Sequence, residues 1–163
     1  RYSATDNQRV FIKKYSTGVT PLYYWNDNNF RSIRLADMLL LYAECLNELN
    51  GGPTSDAVRY MNEVRTRVGL PEIAKSSYYD GAAITSDYAA FKEHIKVERA
   101  LELAFECVRW IDLKRWGFDD AAVSELKTRD ADFDNFVIGK NERMPIPQSD
   151  CDNNPNLWQN PNY

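Results

Sequence analysis

Residues Phe91 to Gly117, which read FKEHIKVERALELAFECVRWIDLKRWG, contain the pattern that decides the fold class. Apolar side chains recur there at spacings near three to four and their multiples, which is typical of one face of an α-helix. These side chains are Phe91, Ile95, Leu101, Phe105, Val108, Leu113 and Trp116. Ser86 and Asp87 are N-cap candidates and Gly117 is a C-terminal stop. We therefore predict one long central helix over residues 87–117, around which the rest of the chain packs.

A row of charged side chains follows the same stretch. Glu98, Glu102 and Glu106 are four residues apart, so they stack on one side of a helix, and His94 extends the row by one turn. The functional interpretation is a metal site or an acid/base pair of carboxylates. Side chains on successive turns of a straight helix diverge, however, so we interpret the row as an ion-pair network that ties the helix to its neighbours. The expected partners are Arg99, Arg109 and Arg115.

Length and composition exclude several classes of protein. The 163 residues suffice for one domain or one lobe of a larger protein, and 44% hydrophobic residues are enough for a sizeable core. The formal net charge is −4 and no basic run stands out, which argues against nucleic acid as a partner. No apolar run approaches the roughly 18 residues that a membrane span needs. The three cysteines are too scattered for a disulfide framework.

Two further helices are predicted over residues 33–69. The first ends at Gly51-Gly52-Pro53, and the second begins with Thr54 or Ser55 as its N-cap and runs to about Val68. Because the turn between them is so short, they form a helical hairpin. The predicted inward face of the first helix consists of Leu35, Met38, Leu39, Tyr42, Leu46 and Leu49.

The remaining segments carry weaker patterns. Residues 1–32 are predicted as an extended or loop segment with a short strand over residues 10–15. Residues 118–163 are predicted as an irregular C-terminal segment. Within it we expect a short helix over 119–128, short extended segments at 136–138 and 144–147, and a tail held by Trp158 and Tyr163.

Two aromatic stretches are candidates for ligand binding. The first consists of Tyr23, Tyr24, Trp25, Asn26, Asp27 and Asn28, and the second of Tyr78 and Tyr79. Flat rings beside amides and carboxylates suit a sugar, because rings stack on C–H faces while the polar groups bond hydroxyls. The alternative is that the first group is a hydrophobic plug leading into the next helix and that the second packs its loop against the body of the protein.

A catalytic constellation is not evident. His94 is the only histidine, and no motif places a nucleophile beside it. The sequence contains no GxGxxG, P-loop or GxSxG motif. We therefore predict a protein that is not an enzyme and that has no cofactor and no metal site.

Four motifs occur in order along the chain: IRLADMLLLYAECLNELNG, AVRYMNEVRTRVGLP, IKVERALELAFECVRWIDLKRWG and RMPIPQSD with NPNLWQNPNY. Together they resemble the C-terminal part of the SusD/RagB family, the outer-membrane nutrient-binding lipoproteins of Bacteroidetes. The resemblance covers about Ile33 to Tyr163. Cys107 stands where the family usually has Gly in FEGxRW, and Asn162 replaces the Gly of QNPGY.

The resemblance implies a mainly α-helical, SusD-like scaffold in which the hairpin at 33–69 is one of several tetratricopeptide-like hairpins. The others would belong to an N-terminal portion that is missing from this chain. It also implies a surface protein on the extracellular face of the outer membrane, anchored by lipid on an N-terminal cysteine absent from this chain.

The same resemblance implies non-catalytic binding of an oligosaccharide and its delivery to a SusC-type TonB-dependent transporter. One alternative is a binder of peptides or other nutrients. Another is a structural lobe that docks the transporter and has no ligand site of its own. The family's ligand-contacting residues lie outside the matched motifs, so the aromatic candidates rest on physical grounds alone.

Overall fold

The computed structural model describes residues 14–15, 28–129 and 131–163 and is mainly α-helical, as predicted. No β-strand occurs in these residues. The chain divides into two compact units, Arg1–Arg109 and Trp110–Tyr163.

The helices of the first unit are α1 (Leu35–Asn50), α2 (Ser55–Arg67), α3 (Gly81–Ile84) and α4 (Tyr88–Glu102), with a short 3₁₀ helix at Ile73–Lys75. Helix α5 (Arg109–Trp116) begins at the junction of the units. It is followed by α6 (Asp120–Arg129), a 3₁₀ helix at Ala131–Phe133 and α7 (Gln148–Asn153).

Helices α1 and α2 form the predicted hairpin, and their ends follow from local chemistry. Gly51 closes α1 in the left-handed conformation, with φ of 65°, which costs glycine nothing because it has no Cβ. The Thr54 hydroxyl then accepts a hydrogen bond of 3.1 Å from the backbone N–H of Ala57 and caps α2. The prediction of a helical hairpin with a short turn over residues 33–69 is therefore confirmed.

The face that α1 buries differs from the predicted one. The large side chains expected inside are mostly exposed, with Leu35 at 72% and Leu49 at 82% of full exposure, while Leu39 and Leu46 are partly buried. The side with two alanines and one leucine faces the core instead, and the alanines allow α1 to pack closely against both α2 and α4. The buried apolar residues of α1 are Ala36, Leu40 and Ala43.

The core of the first unit joins these helices to the loop between α2 and α4. Besides the α1 residues it contains Ala57, Met61, Val64, Ile73, Ile84, Phe91 and Ile95. Gly81 lies where α3 meets the 3₁₀ helix, and an added Cβ would clash with the carbonyl oxygen of Ile73. Only glycine fits this close approach, so residues 70–86 form a packed connection with two short helical turns.

The predicted long helix over 87–117 is wrong, because it is divided into α4 and α5. Asp87 caps the start of α4 as expected, but the helix ends at Glu102, and residues 103–108 form a turn. Phe105 and Cys107 both have positive φ, 63° and 61°, which interrupts the ladder of helical hydrogen bonds. Leu103 is consequently buried in place of Phe105.

The second unit is organised around aromatic rings and a held tail. Phe118 and Phe136 have ring centroids 4.7 Å apart, and Phe133 and Trp110 lie against Phe136. The predicted short helix at 119–128 is confirmed as α6. The extended segments expected at 136–138 and 144–147 are not strands, because their backbone groups bond to turns and side chains rather than to a neighbouring strand.

Hydrogen bonds from Gln159 and Tyr163 to earlier backbone groups hold the tail in place. Gln159 exchanges two hydrogen bonds of 2.8 Å with the backbone of Ile146. The Tyr163 hydroxyl donates to the Arg143 carbonyl at 2.9 Å, as expected of an anchor. Trp158 is 82% exposed, so its predicted role as an anchor is wrong. The predicted strand at 10–15 lies outside the described residues except for Lys14 and Tyr15, which are in a turn.

Two departures from the motifs of the resembled family fall on left-handed backbone. Cys107 has φ of 61° and Asn162 has φ of 69°. Glycine adopts this conformation without strain, whereas other residues incur roughly 1–2 kcal/mol, and asparagine less than most. The left-handed backbone therefore explains why the family has glycine at both positions. This chain has asparagine at one of them, with little strain, and cysteine at the other, with more strain.

We expect Cys107→Gly to raise the free energy of unfolding by about 0.5–1 kcal/mol, since it removes this strain. Cys45→Gly is the matched control, because Cys45 is also an exposed free cysteine but lies within α1. It should lower stability by about 0.3–0.5 kcal/mol, since glycine is a poorer helix former. Urea denaturation of both variants is the measurement, and a loss of stability in Cys107→Gly would contradict the argument.

Candidate functional site

The carboxylate row of α4 and the following turn is the most highly charged feature of the first unit. Glu98 is buried, and its carboxylate forms an ion pair with Arg65 of α2. His94 Nε2 lies 3.0 Å from the same carboxylate oxygen. Arg65 also donates from Nε to the carbonyl of Pro71 at 3.0 Å. A single buried group of charges therefore joins α2, α4 and the loop after α2.

Glu102 and Glu106 bind the hairpin at its open end, where α1 begins and α2 ends. Arg34, immediately before α1, donates to Glu102 at 2.5 Å and to Glu106 at 2.7 Å. Arg67, the last residue of α2, lies 2.6 Å from Glu102. Lys14 forms an ion pair with Glu106. Each carboxylate is thus shared between two cations from different parts of the chain.

The predicted ion-pair network is confirmed, and cations outside α4 supply partners that the sequence did not predict. Arg99 binds Asp37 of α1 at 2.8 Å, and Arg115 binds Asp112 at 3.1 Å. The carboxylates of the row pair with Arg34, Arg65 and Arg67 of the hairpin and with Lys14, which precedes the hairpin. Periodicity along one helix does not reveal these partners, because the packing of the hairpin on α4 brings them from distant positions in the sequence.

The network lowers the pKa of two of its carboxylates, Glu98 and Glu106. Burial raises the pKa of Glu98, but the hydrogen bond to His94 and the charge of Arg65 outweigh it, and the pKa lies below its ordinary value of 4.5. Burial of Glu106 is likewise outweighed by Arg34 and Lys14, so its pKa is also lowered. A carboxylate with a lowered pKa is a poor proton donor near neutral pH, which disfavours the acid/base interpretation.

A metal-binding interpretation gains no support from the same geometry. Within residues 14–15, 28–129 and 131–163, no three His, Cys, Asp or Glu side chains converge as a metal site would require. The contacts that the structure does show for the row include ion pairs with arginines of the hairpin and with Lys14.

The open end of the hairpin forms a surface depression that we call the arginine cleft. Its first part, about 300 Å³, is lined by Lys14, Tyr15, Arg31, Arg34, Arg67, Val68, Glu102 and Glu106. A more apolar second part, about 650 Å³, shares Arg31, Arg34 and Arg67 with it and adds Leu35, Leu39 and Val64 among others. The cleft combines arginines with an apolar wall, which are the components of a ligand site.

The sequence contains a signal for this cleft that neither hydrophobic periodicity nor the aromatic motifs reveal. Arg34 precedes α1 and Arg67 ends α2, and the two helices of a hairpin run in opposite directions. Residues at the start of the first helix and the end of the second therefore meet. Arginines at both positions indicate a cationic end of the hairpin.

The structure describes only part of the two aromatic stretches that are candidates for ligand binding. Tyr23, Tyr24, Trp25, Asn26 and Asp27 lie outside the described residues, and Asn28 is exposed. Tyr78 is 84% exposed. The Tyr79 ring packs edge-on against the His94 ring, with centroids 4.6 Å apart. Of the second pair, one ring is thus displayed to solvent and the other rests on the body of the unit.

Comparison with known proteins identifies the family. The family model of the SusD family matches residues 2–163. The chain belongs to the SusD family. It is 35% identical over 140 residues to SusD-like protein P25 and 32% identical over 141 residues to SusD-like protein P2, both from Formosa agariphila, which covers 86% and 85% of this chain.

The fold is shared with a solved structure. A SusD homologue from Bacteroides thetaiotaomicron superposes with a TM-score of 0.61 at 34% identity and covers 78% of this chain. The match spans 25% and 26% of the two Formosa proteins and 26% of the solved chain, so this chain corresponds to about a quarter of the length of its relatives. Among the described residues, none of the helices has the length and apolar character to span a membrane.

We expect the stability of the first unit to fall as the pH drops below about 4.5. The unfolded chain regains the ordinary Glu pKa of 4.5, whereas folded Glu98 titrates lower, so protons bind the unfolded state first. The stabilisation is complete above this range and is lost as pH falls through the folded pKa.

Glu98→Gln should reduce that pH dependence and, at pH 7, destabilise the protein by about 3–5 kcal/mol, because it leaves Arg65 buried without its counter-charge. The matched control is Glu63→Gln, which removes an exposed carboxylate paired with Arg59 at 2.7 Å on α2. It should change stability by less than about 0.5 kcal/mol. Urea denaturation between about pH 3 and pH 7, a range that brackets the ordinary carboxyl pKa, measures both effects. Equal losses of stability in the two variants would contradict the role of Glu98 as the buried counter-charge of Arg65.

Proposed function

We propose that the protein binds an oligosaccharide at the extracellular face of the outer membrane and passes it, without chemistry, to a SusC-type TonB-dependent transporter. The observation that carries this proposal is the match to the SusD family over residues 2–163. In this proposal the longer protein is held on the membrane by lipid on an N-terminal cysteine outside this chain. The net charge of −4 favours a sugar ligand over nucleic acid.

Tyr78 has the surroundings of a sugar-stacking ring. The Ser76 hydroxyl accepts from the Tyr78 backbone N–H at 3.2 Å, and the Asp80 carboxylate accepts from the Ala83 N–H at 3.0 Å, where it caps α3. These bonds fix the backbone on both sides of an almost fully exposed ring. A backbone that is already ordered loses little freedom when a ligand stacks on the ring.

The affinity expected from such a site is modest. Ring stacking contributes about 0.5–1.5 kcal/mol beyond the area buried, and each neutral hydrogen bond about 0.5–1.5 kcal/mol. A few contacts of each kind give dissociation constants between about 1 μM and 1 mM. Weak binding suits a protein that must release its ligand to a transporter.

A second candidate function is a structural lobe that holds the rest of the longer protein and docks the transporter. The observation that favours it is the apolar stripe of α1, which we define as Leu35, Met38, Tyr42, Cys45 and Leu49, all exposed. These residues are spaced three or four apart on the side of α1 opposite the core. We propose that a helical segment from the remaining three quarters of the family's length packs on this stripe.

We expect Tyr78→Ala to weaken glycan binding about fivefold to tenfold, which corresponds to the ~1–1.5 kcal/mol of one stacking contact, with no change in thermal stability. Tyr78→Phe is the matched control, since it keeps the ring and should keep the affinity. A glycan array identifies the ligand and calorimetric titration measures it. A blank glycan array with a positive peptide library would instead support a peptide binder.

Trp25→Ala tests the first aromatic stretch in the same way. It should weaken glycan binding and leave the fold intact, whereas Trp158→Ala, a change at an exposed ring outside both candidate stretches, should leave binding unchanged. A large loss of thermal stability in Trp25→Ala, without a specific loss of binding, would show that this ring belongs to the core.

The apolar stripe makes a separate prediction. Leu49→Ser should change the free energy of unfolding by less than about 0.5 kcal/mol, because the side chain is exposed. Leu40→Ser, on the opposite side of the same helix, should cost about 3 kcal/mol or more, because it leaves a cavity and a buried hydroxyl. Chemical denaturation compares the two. A similar cost for both would mean that the stripe is already covered within this chain.

A further inference from the structure

The charges of the arginine cleft are not balanced. Its first part contains four cationic side chains and two carboxylates. Its second part adds one carboxylate, Glu63, which is paired with Arg59 of the same helix, so the cleft is locally positive in a chain whose net charge is −4. A positive depression on an acidic protein concentrates anions where the rest of the surface repels them.

Two of the four cations are committed to the scaffold. Lys14 Nζ donates to the carbonyls of Glu102 and Ala104 at 2.7 and 3.1 Å and pairs with Glu106. Arg34 donates from Nε to the Glu106 carboxylate, from Nη1 to the Glu102 carboxylate and from Nη2 to the Glu102 carbonyl at 2.7 Å. These two cations neutralise the two carboxylates and leave no charge for a ligand.

The excess charge therefore resides on Arg31 and Arg67. Arg31 is exposed and makes no hydrogen bond or ion pair with any residue in the described part of the chain. Arg67 donates from one nitrogen to Glu102, and its side chain remains 55% exposed. Both arginines line both parts of the cleft. Their planar guanidinium groups suit bidentate contact with an oxyanion.

The walls of the cleft favour an anion that is carried on a sugar. Tyr15 lines the first part and stacks with Phe30 at 6.2 Å between ring centroids, and Leu35, Leu39 and Val64 line the second. A small inorganic ion would use only the arginines. A sugar ring would also place its C–H face on the tyrosine or on the aliphatic wall.

We propose that the arginine cleft recognises a carboxylate or sulfate substituent of a glycan through Arg31 and Arg67. This inference rests on the proposed glycan-binding function and narrows its ligand to acidic sugars. The guanidinium groups bind the oxyanion, and the apolar wall contacts the ring that carries it.

The test is calorimetric titration of the 163-residue protein with three hexasaccharides. Hexagalacturonate carries carboxylates, a carrageenan hexasaccharide carries sulfates, and maltohexaose is neutral. We expect one or both acidic sugars to bind more tightly than maltohexaose and to weaken as salt is raised, because exposed charges are screened. Arg31→Gln should weaken acidic-sugar binding about tenfold, as expected for loss of a charge-assisted hydrogen bond. Which acidic sugar binds separates a carboxylate from a sulfate ligand.

Arg129→Gln is the matched control. Arg129 is an exposed arginine of α6 in the second unit, paired with Glu125, and its loss changes net charge equally. Equal weakening by Arg31→Gln and Arg129→Gln would overturn the cleft as the site. Equal binding of all three sugars, unaffected by Arg31→Gln, would overturn the acidic ligand and leave glycan binding standing. Binding of none of them, together with a blank glycan array, would overturn both proposals.

Discussion

The buried charge of Glu98 is the constraint on which the first unit depends. A carboxylate removed from water must meet a counter-charge and hydrogen bonds, since burying it alone costs several kcal/mol. Arg65 supplies that charge from α2, and Arg65 in turn holds the Pro71 carbonyl of the following loop. Only one position of the hairpin along α4 therefore pairs the Glu98 carboxylate with Arg65 and the Pro71 carbonyl with the same arginine. Hydrophobic contacts among Leu40, Met61 and Phe91 provide the attraction, but they are less directional and would tolerate small shifts.

Local chemistry makes much of the helical content predictable, and the errors have specific causes. Gly51, Thr54 and Asp87 act at helix ends through backbone conformation or capping, so the hairpin and the start of α4 follow from sequence. The break between α4 and α5 is hidden because Cys107 occupies a left-handed position where the family motif has glycine. A glycine there would mark the break, since glycine is a common stop signal. Periodicity alone cannot detect a turn made by residues that also suit helices.

The buried face of α1 differs from the predicted one for another reason. Size and hydrophobicity favour the side with Leu35, Met38 and Leu49, but the side with Ala36 and Ala43 on either side of Leu40 lets α1 approach two helices at once. An amphipathic pattern shows which side of a helix is apolar, and α1 is apolar on both. Which side faces the core of this unit depends on the shape of α2 and α4, and that information is not local to the segment. The stripe on the other side is then available for a different contact.

The scaffold and the proposed site share one set of charges, which explains why aromatic motifs do not reveal the cleft. Arg34 and Lys14 neutralise Glu102 and Glu106 and fix the open end of the hairpin. Arg31 and Arg67 are presented at the same end because the hairpin brings the start of α1 next to the end of α2. The carboxylates that stabilise the fold thus keep the cleft from becoming so positive that the arginines repel one another. A ligand anion would meet two arginines whose surroundings are already fixed by the fold, so little reorganisation would be needed on binding.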